Sequence, residues 1–226
     1  RREGERLAFA APPLRRRAPS PTVLAKVAAA LGLKASQIVT AQCLDNGTGW
    51  LALLLADADT VLALTPDHRA LRELGHKVGV AGIPVHRTAS IARRLALPAG
   101  DAPEGSTAAH EADASGPLLI ARSNREARAF AGVPAPGAPP PEAEAADLEV
   151  RAFAASVGIE EDPVTGSLNA SLAQWLIVDG CLPARYLATQ GQCLGRDGRI
   201  GVERDAAGQV WIGGAVATCV DGHVML

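Results

Sequence analysis

Apolar and polar positions along the chain form short segments, and most segments end at glycine, proline or an aspartate-glycine pair. In the first of them, Ser20 supplies an N-cap side chain and Pro21 follows at the first helical position. The apolar side chains then recur every three or four residues until Gly32, which is the spacing of one helix face. This pattern predicts an amphipathic helix that begins at Pro21 and stops at Gly32.

A hairpin pattern follows this helix. Residues Ile38 to Leu44 and Trp50 to Leu55 are rich in apolar side chains, and the turn-forming residues 45–49 (Asp-Asn-Gly-Thr-Gly) separate them. An Asn-Gly turn between two such runs predicts a β-hairpin. Further predicted elements are a strand at Leu7 to Ala10, a helix from Thr65-Pro66-Asp67 to Gly75, and a strand at Lys77 to Gly82.

The C-terminal part of the chain carries strand patterns separated by glycine-containing turns. The β-prone runs are Leu148 to Phe153, Arg199 to Glu203, Val210 to Ile212 and Ala215 to Val220. Short strands between such turns are typical of an antiparallel meander. Gly191 and Gly195 follow no convincing strand, so their spacing does not predict a nucleotide-binding phosphate loop.

The segment from Leu168 to Val178 has helical spacing and is apolar on nearly all sides, which predicts a buried helix. The first backbone N–H groups of such a helix need side chains, water or a ligand as partners. Thr165, Gly166 and Ser167 stand at this helix start, where glycine allows close approach and the hydroxyls add donors. The helix dipole favours an anion there by about 0.3–2 kcal/mol. The pattern therefore predicts a site for a carboxylate.

Asp162 lies just before this helix start. Its carboxylate can interact with a protonatable group of a bound ligand, or it can cap the helix. Asp, Thr and Ser before a helix are also ordinary capping residues. The residues by themselves leave both roles open.

Composition and charge narrow the classes of partner. The 22 basic and 24 acidic side chains nearly cancel, so no strong field favours a nucleic acid or an anionic membrane. The longest apolar run, 50–56, is far shorter than a membrane helix requires. In this near-neutral chain we interpret Arg15-Arg16-Arg17 as a solvated surface turn. The four cysteines and five histidines lack metal-ligand spacing, and unpaired cysteines fit a reducing, cytoplasmic compartment.

The middle of the chain differs from the rest. Within the stretch from Pro84 to Asp147, residues 98–117 and 132–146 are rich in Pro, Ala, Glu and Gly with few large apolar side chains, which predicts mobile loops or an insertion. Leu118 to Arg122 can still form a strand there. Because residue 1 is arginine and a strand pattern is present by Leu7, we expect the sequence to begin inside a longer polypeptide.

Two motifs resemble the phenazine-biosynthesis (PhzF-type) isomerase family. The first is 161–173 (EDPVTGSLNASLA), and the second is Gln190-Gly191 followed by Leu194-Gly195-Arg196 and Gly198-Arg199. Residues 45–50 (DNGTGW) and 210–214 (VWIGG) are also similar to segments of that family. The similarity extends over most of the chain apart from about 84–146.

This resemblance implies an α+β, diaminopimelate-epimerase-like fold. Two similar lobes each have a curled, mostly antiparallel sheet around a central helix, and the active site lies in the cleft between them. Residues 1–16 would be the end of the N-terminal lobe or an interlobe strand. Residues 17–226 would form the C-terminal lobe, with the Leu168 helix at its centre and a loop-rich insertion at about 84–147.

The resemblance also implies roles for particular residues. Asp162 matches an active-site aspartate, and Gly166 and Ser167 match residues that bind the substrate carboxylate at the helix end. Further candidates for substrate binding are Thr165, Asn46 and Gly47. The family's acidic proton-transfer residue and a Gly-His pair belong to the N-terminal lobe, and no segment here matches them. We therefore expect this chain alone to be catalytically incomplete.

The position of Asp162 separates related chemistries. Epimerases and racemases of this fold that use paired cysteines would place one within the helix-start motif, where this chain has Asp162. The resulting hypothesis is an isomerase that moves a proton within a small, cyclic carboxylic acid of the dihydro-hydroxyanthranilate type, without a metal, nucleotide or redox cofactor. A non-catalytic small-acid-binding protein and a racemase, epimerase or dehydratase remain alternatives. The family implies a homodimer, and we expect no nucleic-acid or membrane partner.

Overall fold

Hydrogen bonding between the short β-prone segments builds one large sheet. A computed structural model of the protein describes residues 1–3, 6–88, 145–216, 219, 222 and 223. The strands are β1 (Arg2–Glu3), β2 (Arg6–Ala10), β3 (Arg15–Arg17), β4 (Ile38–Asp45), β5 (Gly49–Leu55), β6 (Val78–Gly82), β7 (Leu148–Ala154), β8 (Ile159–Asp162), β9 (Arg185–Gln190), β10 (Gly198–Arg204) and β11 (Val210–Ala215). They follow the order β1-β2-β11-β10-β9-β7-β6-β5-β4-β3, and β8 pairs with β7 beside this path. The described pairs are antiparallel except β5 with β6 and β7 with β9.

Side-chain caps define where three of the four described α-helices begin. The α-helices are α1 (Pro21–Ala30), α2 (Ala58–Leu62), α3 (His68–Leu74) and a fourth, Gly166–Val178, which we call the central helix. Short 3₁₀ turns lie at Ala35–Gln37, Ala155–Val157 and Gln192–Leu194. The side chains of Ser20, Asp57 and Asp67 accept hydrogen bonds from backbone N–H groups three residues later, as N-caps do. Gly75 ends α3 with φ of 71°, a conformation that glycine adopts without a Cβ clash.

The sheet separates two apolar cores. Alternate residues of β7 point to opposite faces, so Val150 packs in one core and Phe153 in the other. The second core contains side chains from α1, α2 and α3, including Val27, Val61 and Leu71. The first core contains the central helix.

The central helix is buried on nearly all sides. Its fully buried residues include Leu168, Leu172, Trp175 and Leu176, each with 0% exposure. Side chains from seven strands, β4 to β7 and β9 to β11, share this core, and a sheet of that width reaches one helix only by curving around it. None of the helices in the described part of the chain has the length and apolarity needed to cross a bilayer.

Most of the predicted elements are confirmed. The helix after Ser20, the 38–55 hairpin, the helix before Gly75 and the buried helix all form within a few residues of their predicted bounds. The hairpin closes with Asp45 opposite Gly49, as the Asn-Gly turn predicts. The mixed α+β class, with a curled, mostly antiparallel sheet around a central helix, is also confirmed.

Three sequence interpretations were wrong or incomplete. Gly191 does follow a strand, β9, whose pattern was hidden because its polar end residues, Thr189 and the buried Gln190, are held by specific hydrogen bonds. Strand β8 and helix α2 were not predicted because they are four and five residues long. Arg15–Arg17 is an edge strand paired with β4, not a turn. Charged side chains on an edge strand oppose pairing with another sheet.

The loop-rich insertion predicted at about 84–147 falls largely outside the described residues. The same holds for the predicted strand at Leu118 to Arg122 and for most of the segment after Ala215, where β11 ends.

Candidate functional site

The start of the central helix lies beside the point where one edge of β7 changes its hydrogen-bonding partner from β9 to β8. Residues 148–150 of β7 pair with β9, and residues 152–154 pair with β8. Strand β8 ends at Asp162, and the central helix begins four residues later at Gly166. This arrangement brings Asp162 next to the helix start, defined as Thr165, Gly166 and Ser167.

The side chain of Thr165 does not cap the helix that it precedes. Thr165 occupies the N-cap position, yet its side chain accepts no hydrogen bond from a helix N–H. Its hydroxyl donates to Asp162 Oδ2 at 2.7 Å. In the described part of the chain, Asp162 is therefore paired with Thr165 and does not cap the helix. The backbone donors at this end lack the side-chain partner that an N-cap residue usually provides.

Gln190, at the end of β9, ties the helix start to the strand before it. Its side chain is buried, and its Oε1 accepts from the Thr165 N–H at 3.1 Å. Its Nε2 donates to the Asp162 carbonyl at 2.8 Å and to Thr165 Oγ1 at 2.9 Å. Asn169, one turn into the helix, donates to the same Oε1 at 2.8 Å. The four groups form one buried polar network.

The turn of the β4-β5 hairpin packs against the same helix end. Asn46 Nδ2 donates to the Ser167 carbonyl at 3.0 Å, and Trp50 Nε1 donates to Ser167 Oγ at 3.2 Å. Because Ser167 Oγ accepts from the indole, its own proton remains available for another acceptor. Asn46 Oδ1 is buried and has no hydrogen-bond partner in the described structure.

The predicted site residues are largely brought together. Thr165, Gly166 and Ser167 adjoin Asp162, and Asn46 contacts Ser167. Gly47 differs, because its N–H donates to Asp45 within the turn and its φ is 104°. Its described contact is a turn contact, not one with the helix start.

Three glycines shape the surroundings of the helix start. A Cβ at Gly166 would lie 3.4 Å from the ring of Phe9, an ordinary van der Waals contact. A Cβ at Gly191 would lie 2.6 Å from the Pro163 carbonyl, and φ there is 94°. A Cβ at Gly198 would lie 2.5 Å from the Val164 side chain. Gly191 and Gly198 thus let β9 and β10 pack closely under the segment that precedes the helix.

The two glutamates before Asp162 are engaged elsewhere. Arg151 and Glu161 form a buried bidentate pair at 2.8 Å, and Arg151 also donates to two carbonyls near α2. Burial opposes the charge of Arg151, but its hydrogen bonds to Glu161 raise the pKa of Arg151 above its ordinary value. Glu160 is exposed and lies 4.0 Å from Arg72. Asp162 is the carboxylate of this motif that faces the helix start.

Some residues of the network had no predicted role. Gln190 belongs to the second family-like motif, yet that motif gave it no function. Trp50, at the start of a predicted hairpin strand, is buried, but its indole N–H also reaches Ser167. Within the described ranges, no group of three His, Cys, Asp or Glu side chains could hold a metal ion.

The curled sheet around a buried helix, with a polar helix start, defines a mixed α+β protein. Residues 121–222, just under half of the chain, match the family model "Phenazine biosynthesis-like protein". This match includes the helix-start motif and Gln190. Together with the structural neighbours below, it confirms the resemblance to the PhzF-type family.

Curated relatives match shorter segments. The chain is 44% identical over 61 residues to the uncharacterized isomerase YddE of Escherichia coli K12, covering 25% of this chain and 20% of that protein. It is 42% identical over 81 residues to an uncharacterized isomerase of Deinococcus radiodurans, covering 32% of this chain and 26% of that protein. Both relatives are named as isomerases, and this chain spans about a quarter of their length or less.

Solved structures share the fold at low sequence identity. A PhzF-family phenazine biosynthesis protein of Bacillus anthracis has a TM-score of 0.58 and 13% identity, with 93% of this chain and 57% of that chain covered. The corresponding protein of Enterococcus faecalis has a TM-score of 0.54 and 21% identity, with 100% and 60% covered. The chain thus spans less than two-thirds of the length of these structures.

Proposed function

We propose that this chain supplies the carboxylate-binding half of an isomerase active site that moves a proton within a small, cyclic carboxylic acid. Gly166 and Ser167 orient the substrate carboxylate at the helix start. Thr165, also predicted to bind it, supports the site through Asp162, because its N–H and hydroxyl protons go to Gln190 and Asp162. Asp162 positions or protonates the reacting group. Asn46 and Gly47 belong to the turn that borders the site.

One observation carries this proposal. The helix start lacks a side-chain cap, while the only described bond to the Asp162 carboxylate comes from Thr165 and the Ser167 hydroxyl keeps a free proton. Uncapped N–H groups and hydroxyl donors at the positive end of a helix dipole suit an anion. A nearby carboxylate suits proton transfer to a polar group of that same guest.

The remaining expectations are part of the proposal. Residues 1–16 belong to the end of an N-terminal lobe or to an interlobe strand, and residues 17–226 form the C-terminal lobe. The second acid or base comes from that other lobe, so the chain alone is catalytically incomplete. The full protein works in the cytoplasm as a homodimer and needs no metal, nucleotide or redox cofactor.

Deuterium incorporation tests the chemistry. The product of the full coding sequence is incubated in D₂O with a dihydro-hydroxyanthranilate-type acid, and carbon-bound deuterium is followed by NMR. Asp162→Asn removes the ionisable group with little change in shape, so we expect turnover to fall about 10²- to 10⁴-fold. Glu160→Gln, the same change at an exposed carboxylate two residues earlier, serves as the control and should leave turnover near the unsubstituted rate.

The outcomes separate the open functions. Turnover by Asp162→Asn equal to that of the control would remove Asp162 from the mechanism. Binding of the acid without any deuterium incorporation would favour the non-catalytic binding protein instead. Incorporation at a stereocentre with inversion would favour a racemase or epimerase.

A further inference from the structure

The buried amide of Gln190 has all four of its hydrogen-bonding positions occupied, and backbone groups fix its orientation. The Thr165 N–H can only donate, so it must face Gln190 Oε1. The Asp162 carbonyl can only accept, so it must face Gln190 Nε2. Neither contact survives a flip of the amide.

This fixed orientation sets the direction of the next hydrogen bond. Because Gln190 Nε2 also donates to Thr165 Oγ1, the hydroxyl acts there as an acceptor. Its single proton must then go to its other neighbour, Asp162 Oδ2, at 2.7 Å. The result is a series of hydrogen bonds in one donor-to-acceptor direction, from Gln190 through Thr165 to Asp162.

The consequence for Asp162 concerns its two oxygens. Oδ2 is held as an acceptor by the Thr165 hydroxyl, whereas Oδ1 accepts no hydrogen bond from the described residues. Asp162 is partly exposed, so Oδ1 is open to a ligand. Any proton that the carboxyl group carries is directed to Oδ1.

The geometry points to Gln190 as a positioning residue that makes Oδ1 the reactive oxygen of Asp162. This inference rests on the proposed isomerase function. In the step, the proton passes between Oδ1 and the polar group of the substrate, and the Thr165–Oδ2 bond stays intact. Gln190 touches no substrate and acts through Thr165.

Variants at Thr165 test this series of hydrogen bonds without placing a charge in the core. In the full coding sequence, Thr165→Val keeps the side-chain shape but removes the donor to Oδ2, and Thr165→Ser keeps the donor. We expect Thr165→Val to lower kcat about 10- to 100-fold with KM changed less than threefold. Losses of this size are typical of residues that orient metal ligands, which also act indirectly through the group that they position. Thr165→Ser should restore kcat to within about threefold of the unsubstituted enzyme.

Gln190→Glu tests the donor-to-acceptor direction of these hydrogen bonds. A glutamate at 190 offers only acceptors when ionised, so the Thr165 hydroxyl would donate to it and no longer to Asp162. We expect Gln190→Glu to lower kcat at least as much as Thr165→Val does. The double variant should lose no more kcat than Gln190→Glu alone. Gln42→Glu is the control for the same change elsewhere in the sheet, because Gln42 is half-buried on β4 and takes part in no described side-chain hydrogen bond.

The results distinguish this inference from the proposed function. An unsubstituted enzyme that incorporates no deuterium would overturn the function and this inference together. Normal turnover by Thr165→Val, in an otherwise active enzyme, would overturn only the positioning role. Equal losses in Thr165→Val and Thr165→Ser would also overturn it, because the hydroxyl would then not be the group that matters.

Discussion

At the scale of single residues, the protein places several polar groups in its interior, and most have specific partners. Gln190 and Asn169 are both 1% exposed and share a hydrogen bond. Arg151 and Glu161 are buried together as an ion pair. Removing one member of such a set would leave the other without a partner in a poorly solvated place, which costs more than the bond itself contributes.

The roles of single residues were predictable only in part. The position of Asp162, Thr165 and Ser167 beside a buried helix follows from the apolar pattern and from the capping residues at its start. The role of Gln190 does not follow, since it acts on residues more than 20 positions earlier in the chain. Pairing across that distance depends on the register between β7 and β9, which no local pattern encodes.

Glu149 gives a residue-scale prediction about pH. Burial raises the pKa of Glu149 above its ordinary value, although a hydrogen bond from Thr189 and the charge of Arg151 oppose this shift. A raised folded-state pKa means that the contribution to stability is full below the unfolded value and is lost as pH rises through the folded value. The protein should therefore lose stability as pH rises above about 4.5, the ordinary value for this group.

Replacing Glu149 with glutamine removes this dependence. Glu149→Gln keeps the shape and abolishes the charge, so we expect stability at pH 7 to rise relative to the unsubstituted protein. The gain should shrink toward pH 4.5. Urea unfolding at the two pH values measures it, and an equal effect at both would contradict the assignment to a buried charge.

At the scale of elements, the central helix dominates the first core. Its apolar residues on all sides predicted burial, and the structure shows why: the sheet curves around it, so almost no face meets solvent. The short elements β8 and α2 escaped prediction because four or five residues carry too little periodicity. Strand β8 nevertheless delivers Asp162 to the site.

Truncation within this helix gives an element-scale prediction. Leu172 is fully buried at the middle of the helix, so Leu172→Ala should destabilise the protein by about 2–5 kcal/mol. Val178, in the last turn, is 63% exposed, and Val178→Ala should change stability by less than about 0.5 kcal/mol. Comparable losses in chemical unfolding would contradict the helix's place at the centre of the core.

At the scale of the whole molecule, one sheet and one helix bring distant parts of the chain to a single point. The hairpin turn at Asn46, strand β8 and strand β9 all meet the start of the central helix. Strand β2 also pairs with β11, so residues from both ends of the chain share one sheet. The fold class was predictable through the family-like motifs, whereas the strand order depends on long-range pairing.

A basic groove elsewhere on the protein is an alternative place for a carboxylate to bind, so the proposed site at the helix start can be tested against it. Arg15, Arg17, His76 and Lys77 line a groove of ≈ 640 Å³ beside the hairpin turn. These side chains could also attract an anion, since Asp45 is the one carboxylate among the described residues that line the groove. A carboxylate probe must therefore be located by residue, and binding alone does not decide the site.

The most direct measurement is an NMR titration of the protein made from the full coding sequence with anthranilate, using anthranilamide as the uncharged match. We expect anthranilate to cause saturable shifts of the backbone N–H signals of Gly166 and Ser167, and anthranilamide to cause little change. Ser167→Ala should bind anthranilate at least about tenfold more weakly, since a hydrogen bond to a charged group contributes about 1.5–3 kcal/mol. Ser171→Ala, one turn further along the helix, should bind as the unsubstituted protein does. Shifts confined to the basic groove, or no shift at the helix start, would contradict the account.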